Sequence, residues 1–272
     1  MSDGTRHPDT LAVIGGGRMG EAIVGGLLES GTLHAEKIVV AEPSEARRAD
    51  LTAEYGVRCV ASGVEALPAS MVILAVKPQV IDSVVADIAD ELAESLVVSI
   101  AAGVTCLRLE GLLPLGTPLV RVMPNTPALV GAGMSVVSGG SSATAEQVEL
   151  VRMIFGALGK VIVLDERHQD AAMAISGAGP AYFAIVIDAL ARAGVRQGLP
   201  RDIAQTLAVQ TMYGTARLID EGDLHPEALV DGVTSPGGTT IAAVEALESR
   251  AVRSAFAEAV AAAVHRAKEL GS

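Results

Sequence analysis

Tryptophan is absent from this chain of 272 residues, and only three Phe and three Tyr occur in it. Half of the residues are nonetheless hydrophobic, so the core has to be assembled largely from Ala, Val, Leu and Ile, which suit close helix–helix and helix–sheet packing. Charge is scarce as well, at 19%, as extensive burial between subunits would explain. The two cysteines, Cys59 and Cys106, show neither metal-ligand spacing nor a disulfide framework, and the five histidines are dispersed, so no structural metal is expected. With a net charge of −12 and no basic cluster longer than Arg47-Arg48, the chain lacks the cations that nonspecific nucleic-acid binding sets against phosphates. No apolar run is expected to reach the ~18–20 residues of a bilayer span, because Asp188 and Arg192 interrupt the longest candidate. Met1 to Asp9 is polar and has no apolar signal-peptide core. The expectation is a soluble, cytoplasmic protein of one large domain or two modest ones.

What is present alternates. Leu11-Ala12-Val13-Ile14 predicts a strand, and Met19, Ala22, Ile23, Gly26 and Leu27 follow helical spacing up to a stop at Gly31. Ile38-Val39-Val40-Ala41 predicts a second strand, followed by a helix opened by Ser44 as N-cap. Residues 71–76 predict a third, then a helix marked by Ile81, Val84, Val85, Ile88 and Leu92, then a strand at 96–99. Such alternation predicts parallel βαβ units with right-handed crossovers. Residues 119–123 and 134–137 extend the sheet, and 161–164 would be its last strand. After Asp165 only helical patterns remain, and 180–196 is apolar nearly all round, the mark of a helix buried on every side. Further helices are predicted at 200–219, 240–247 and 252–270. The chain is thus of the α/β class, with a sheet domain at 1–164 and an all-α domain at 165–272.

Two glycine-rich segments carry the chemistry. Gly15-Gly16-Gly17-Arg18-Met19-Gly20 satisfies GxGxxG where a strand passes into a helix, the context of a dinucleotide pyrophosphate site. Gly15 permits the tight turn, Gly17 the approach of pyrophosphate to backbone, and Gly20 the packing of helix on strand. Glu42, ending the second strand, points toward NAD by accepting a ribose 2′-hydroxyl. Ser44, Arg47 and Arg48 would take a 2′-phosphate if Glu42 swings away, and the choice stays open. Near the other end, Ser235-Pro236-Gly237-Gly238-Thr239-Thr240 precedes a helical run. Converging N–H groups and two hydroxyls at a helix start, with no basic residue, suit a small carboxylate. A Pro-Gly turn with a Thr N-cap is the plainer alternative.

The GGGRMGEA block is joined in order by Ala75-Val76-Lys77-Pro78, Ala101-Ala102-Gly103-Val104-Thr105, Met123-Pro124-Asn125-Thr126-Pro127, Ser176-Gly177-Ala178-Gly179-Pro180-Ala181-Tyr182 and Ser235 to Thr240. Together these blocks resemble the pyrroline-5-carboxylate reductase family over 11–270. The resemblance implies a Rossmann-type doubly wound sheet followed by an all-α dimerisation domain. It also implies a homodimer that can grow into a decamer, and reduction of 1-pyrroline-5-carboxylate to L-proline with NADPH, or NADH as the alternative. Ala178 departs from a Ser common in relatives, and Glu42 from the small or polar residue of NADPH-preferring ones.

By the same resemblance, Gly15, Gly17, Arg18, Met19, Gly20, Glu42, Ser44, Arg47, Ala75, Val76, Lys77 and Pro78 would bind cofactor. Ala101, Ala102, Asn125 and Thr126 would position the nicotinamide end. Ser235, Gly237, Gly238, Thr239 and Thr240 would hold the substrate carboxylate, Thr240 and Lys77 being the catalytic pair. Asp223 or Glu221 would face the iminium nitrogen from a partner subunit, although Gly222 and Pro226 equally suggest a solvated loop. Two other classes compete: a related two-domain reductase of another imine or hydroxy acid, and a non-catalytic dinucleotide-sensing dimer. The first usually places a lysine in its second-domain helices, and 165–250 contains none.

Overall fold

The structure is a computed structural model that describes residues 7–271, so most of the polar Met1–Asp9 stretch lies outside the described residues. By its contacts the chain forms two units, one of residues 1–178 and 263–272, the other of residues 179–262.

The first unit opens with β1 (Leu11–Ile14), α1 (Arg18–Glu29), β2 (Ile38–Ala41) and α2 (Glu45–Tyr55). It continues through β3 (Arg58–Val60), β4 (Met71–Leu74), α3 (Ile81–Ile88), β5 (Leu96–Ser99), α4 (Cys106–Glu110) and β6 (Leu119–Met123). Then come β7 (Gly133–Gly139), α5 (Ala145–Gly156), β8 (Gly159–Val163) and α6 (Gln169–Ser176). One sheet runs in the order β3-β2-β1-β4-β5-β6-β7-β8. Its strands alternate between two apolar layers. Leu11 and Val13 of β1 join Ile23, Leu27 and Phe155 on one face, while Ala12 and Ile14 join Ile81, Val85 and Leu109 on the other. Both faces are therefore covered by helices, and β1 and β4 read as unbroken apolar runs because every residue in them is buried, as is every residue of β5, which ends in the polar Ser99.

Two features of the sheet depart from the sequence expectation. β3 was not anticipated: it has three residues, and only Val60 among them is fully buried, too weak an apolar signal to mark a strand. The sheet is also not parallel throughout, because β7 runs antiparallel to β6 and β8 parallel to β7. The link from β6 to β7 holds a short 3-10 turn at Thr126–Val130 and no crossover helix, and a parallel return needs a crossover of about a dozen residues.

Helix α6 stays with the sheet although the strand signal ends at Leu164. The buried Gln169 side chain donates to Val136 O at 3.1 Å and Ser138 Oγ at 2.9 Å. Helical hydrogen bonding is interrupted at residues 177–178, where the amides of Gly177 and Ala178 both donate to Met173 O. α7 (Gly179–Arg196) begins the second unit, followed by α8 (Arg201–Glu221), α9 (Pro226–Val233), α10 (Thr239–Glu248) and α11 (Val252–Gly271), whose last part returns to the first unit. α7 and α8 pack closely through small residues. Ala191, Ala204 and Ala208 are buried, and a Cβ on Gly194 would come within 3.1 Å of Ala204 Cβ.

Burial of α7 on every side does not hold among the described residues. Only Gly179 and Ala191 of α7 are buried, while Phe183 and Ile185 are 57% and 68% exposed, because no further layer among the described residues covers them. The expectation that no stretch reaches a membrane span also needs correcting. The helical stretch 166–196 is long and apolar enough by length and composition, its charges being too sparse to break the pattern.

Candidate functional site

The turn after β1 has the geometry a dinucleotide loop requires. Gly15 adopts φ +113°, its amide donates to Ala41 O at 2.8 Å, and a Cβ there would lie 2.6 Å from Ala75 O. Only glycine combines that φ with so close an approach to the end of β4. A Cβ on Gly20 would collide with Gly15 O, so the first turn of α1 lies directly on the loop. Gly17, the exposed N-cap of α1, would meet nothing with a Cβ, and no side chain caps this helix. By contrast, Ser44, Thr105 and Thr144 cap α2, α4 and α5 with their own oxygens. The first turn of α1 thus has no side-chain cap, and the positive end of its dipole lies at the exposed Gly17. The residues present fit a pyrophosphate there.

Beside this loop lies a cleft of about 480 Å³ lined by Gly15, Ala41, Pro43, Gly63, Val76 and Ile88 among others. The segment 61–64, which also lines it, escaped the sequence reading because it follows β3, the strand that was not anticipated. Ala75 and Val76 follow β4 directly, Lys77 is exposed, and Pro78 opens a 3-10 turn. Ala101 is buried and Ala102 half-buried beyond β5, whose Ser99 Oγ accepts from Ala101 N at 3.3 Å. These segments all lie past the carboxyl ends of β1, β4 and β5, where open α/β sheets bind ligands.

Asn125 and Thr126 follow β6. Both ends of the Asn125 amide are engaged: Oδ1 accepts from Met134 N at 2.8 Å, and Nδ2 donates to Ser176 O at 2.9 Å. Asn125 therefore ties the start of β7 to the end of α6, and Thr126 beside it is exposed.

A buried ionic group near by was not evident in the sequence. The Arg121 side chain, 4% exposed, donates to Glu166 Oε1 at 3.0 Å and lies 3.8 Å from Asp170. Glu166 Oε1 also accepts from Cys106 N at 2.7 Å, which joins β6, α4 and the approach to α6. Desolvation by burial and then the Glu166 carboxylate push the Cys106 thiol up to about 12. Pattern reading misses such a group because its members are 45 and 60 residues apart.

In the second unit, Ser235 to Gly238 form a tight turn. Gly238 N donates to Ser235 O at 3.0 Å, and Gly237 supplies φ +66° after Pro236. The Gly238 amide, expected to cradle a carboxylate, is therefore already bonded within the turn. Thr239 and Thr240 occupy the first turn of α10, where amides precede the first intrahelical acceptor. Thr240 is half-buried, and Ser235, Gly237 and Thr239 are exposed. Asp223 is exposed, with φ +47°, in the link that ends α8. Glu221 is paired with Arg217 at 2.5 Å.

Comparison with known proteins gives the pattern a family. A reductase called pyrroline-5-carboxylate reductase from Synechocystis is 48% identical over 262 residues, covering 96% of this chain and 98% of that protein. The chain belongs to the pyrroline-5-carboxylate reductase family. An Arabidopsis thaliana pyrroline-5-carboxylate reductase is 42% identical, with 96% of this chain and 95% of the relative covered. The family model for pyrroline-5-carboxylate reductase dimerisation matches residues 166–270, and a model described as NADP oxidoreductase coenzyme F420-dependent matches 10–103. Among solved structures, the pyrroline-5-carboxylate reductase of Coxiella burnetii superposes with a TM-score of 0.91 at 37% identity, covering 97% of this chain and 99% of that one. A Plasmodium falciparum pyrroline carboxylate reductase with NADP bound gives 0.88 at 31% identity, with 97% and 98% covered.

Proposed function

We propose that this chain reduces the ring C=N of 1-pyrroline-5-carboxylate to L-proline with NADPH or NADH, the last step of proline biosynthesis, as a soluble cytoplasmic enzyme. The observation that carries the reading is the uncapped, glycine-led start of α1 in a chain 48% identical to a pyrroline-5-carboxylate reductase over nearly its whole length.

Bound at the α1 loop, reduced nicotinamide supplies the hydride. The amides of residues 18–20 hold the pyrophosphate, with Arg18 and Met19 at its edge. Ala75 to Pro78 and Ala101–Ala102 border the dinucleotide from the neighbouring strand ends, with Thr126 at the nicotinamide end. Lys77 approaches the cofactor as an exposed cation. The Asn125 side chain supports that end by holding α6 to β7, its amide being engaged on both sides. The Thr239 and Thr240 amides and the Thr240 hydroxyl bind the substrate carboxylate, helped by Ser235 and Gly237. A protonated iminium carbon is a strong electrophile, so fixed orientation and the α10 dipole do most of the work. Asp223 is the residue proposed near the iminium nitrogen. The partner is a second copy of the chain, whose dimerisation region covers the apolar faces of α7 and α8, with a decamer as the larger assembly.

The test is steady-state oxidation of each reduced cofactor by 1-pyrroline-5-carboxylate with the purified chain. Cofactor-dependent appearance of proline is expected, and no oxidation of either cofactor would end the reading.

A further inference from the structure

Glu42 sits at the end of β2 and closes the glycine loop from outside. Its Oε2 accepts from Gly16 N at 3.0 Å and its Oε1 from Ser44 N at 2.9 Å. The groups that would answer a 2′-phosphate are engaged in the same small region. Arg47 Nε donates to Gly16 O at 2.9 Å and its Nη2 pairs with Glu21 at 2.5 Å. The bond to Glu21 raises Arg47 above its ordinary value. Arg48 Nη1 donates to the carbonyls of Glu42 and Pro43 at 2.8 and 2.7 Å. The Ser44 hydroxyl oxygen accepts from Arg47 N as the cap of α2.

We propose that this chain binds NADH in preference to NADPH, and that Glu42 is the residue that selects; the proposal rests on the dinucleotide reading of the α1 loop. Each carboxylate oxygen accepts one backbone N–H and keeps a second lone pair for a ribose hydroxyl. A 2′-phosphate brings about two negative charges and no donor to that position. For Glu42 to swing away, two backbone amides would lose their acceptor, a rearrangement that a 2′-hydroxyl does not require. The arginines offer little relief, because each is tethered to the backbone of the turn that Glu42 closes. NADH therefore meets a prepared acceptor, and NADPH a fixed like charge.

The experiment is direct binding of NADH and NADPH to the full chain without imine, followed by cofactor fluorescence, which no Trp emission overlaps. Wild type should bind NADH about tenfold or more tightly than NADPH. Glu42→Ser should weaken NADH and strengthen NADPH, collapsing or reversing the ratio. Glu42→Gln removes the charge but sets an NH2 against one of the two backbone amides, so it should lower the NADH/NADPH ratio with some loss of thermal stability in a chain that still folds. Equal or tighter NADPH binding by wild type would overturn the proposal. So would a Glu42→Ser variant that loses both cofactors in proportion, since that marks a purely structural clasp. Binding of neither cofactor by wild type would remove it along with the dinucleotide reading, whereas NADH binding without imine turnover would remove only the imine reading.

Discussion

The two units of this chain treat apolar surface in opposite ways. The sheet unit covers its own: both faces of β1, β4 and β5 are sealed, and even its charged Arg121 is buried with acidic partners. The helical unit leaves Phe183, Ile185, Leu207 and Tyr213 more than half exposed. An exposed surface of that kind marks an association site, in line with the dimerisation model matched over 166–270. The lesson is that one sequence can hold a self-sufficient core beside a helical unit whose apolar face is left open for association.

The contrast can be broken first at the shared surface. Ile185→Glu places a charge on the exposed face of α7 and should abolish the assembly, read as a fall to monomer mass or as aggregation in sedimentation velocity. An unchanged assembly would mean that this face is not the one covered. Next in size, Glu166→Ala leaves Arg121 buried without its nearest carboxylate and the Cys106 amide without its acceptor. Removing one partner of such a pair should cost about 3 kcal/mol in urea unfolding, with the oligomer retained at low denaturant. Thr240→Val should spare both folds and lower kcat/KM by about 10–100-fold, the loss of one hydrogen bond to a charged group. Unchanged kinetics would remove Thr240 from the carboxylate site.

The smallest effect concerns the cysteines. Cys106 is buried and its thiol is pushed up to about 12, so in the native state it stays protonated and resists alkylation at pH 8. Half-buried Cys59 should react first, as mass mapping of the labelled protein would reveal. On unfolding, the Cys106 thiol returns toward its ordinary 9.0, so between about 9 and 12 the unfolded state releases the proton first and stability falls as pH rises. Faster labelling of Cys106 than of Cys59 would show that the sheet unit opens locally.

Much of the fold was legible because the long apolar strands have no plausible place except a sheet covered on both sides. β1, β2, β5 and the Ser44 cap of α2 fall where the residues predict them. β3 was not legible, since three residues with one fully buried side chain carry almost no periodic signal. The reversal at β7 was missed because a run such as Met134 to Val137 looks alike in either direction. At the site, the tight turn at Gly15 and the close packing at Gly20 followed from spacing alone. The engagement of Asn125, Arg47 and Gly238 did not, because each partner is either distant in the chain or a backbone atom common to every residue.

Residue order alone determined the class of the chain, its glycine turns and its helix starts, since these depend on neighbours within a few positions. Only the tertiary structure decided which polar groups already have partners: Glu42 on two amides, Asn125 between β7 and α6, Arg121 on Glu166. Hydrogen bonds act within about 3 Å, and only folding brings groups separated by tens of residues that close.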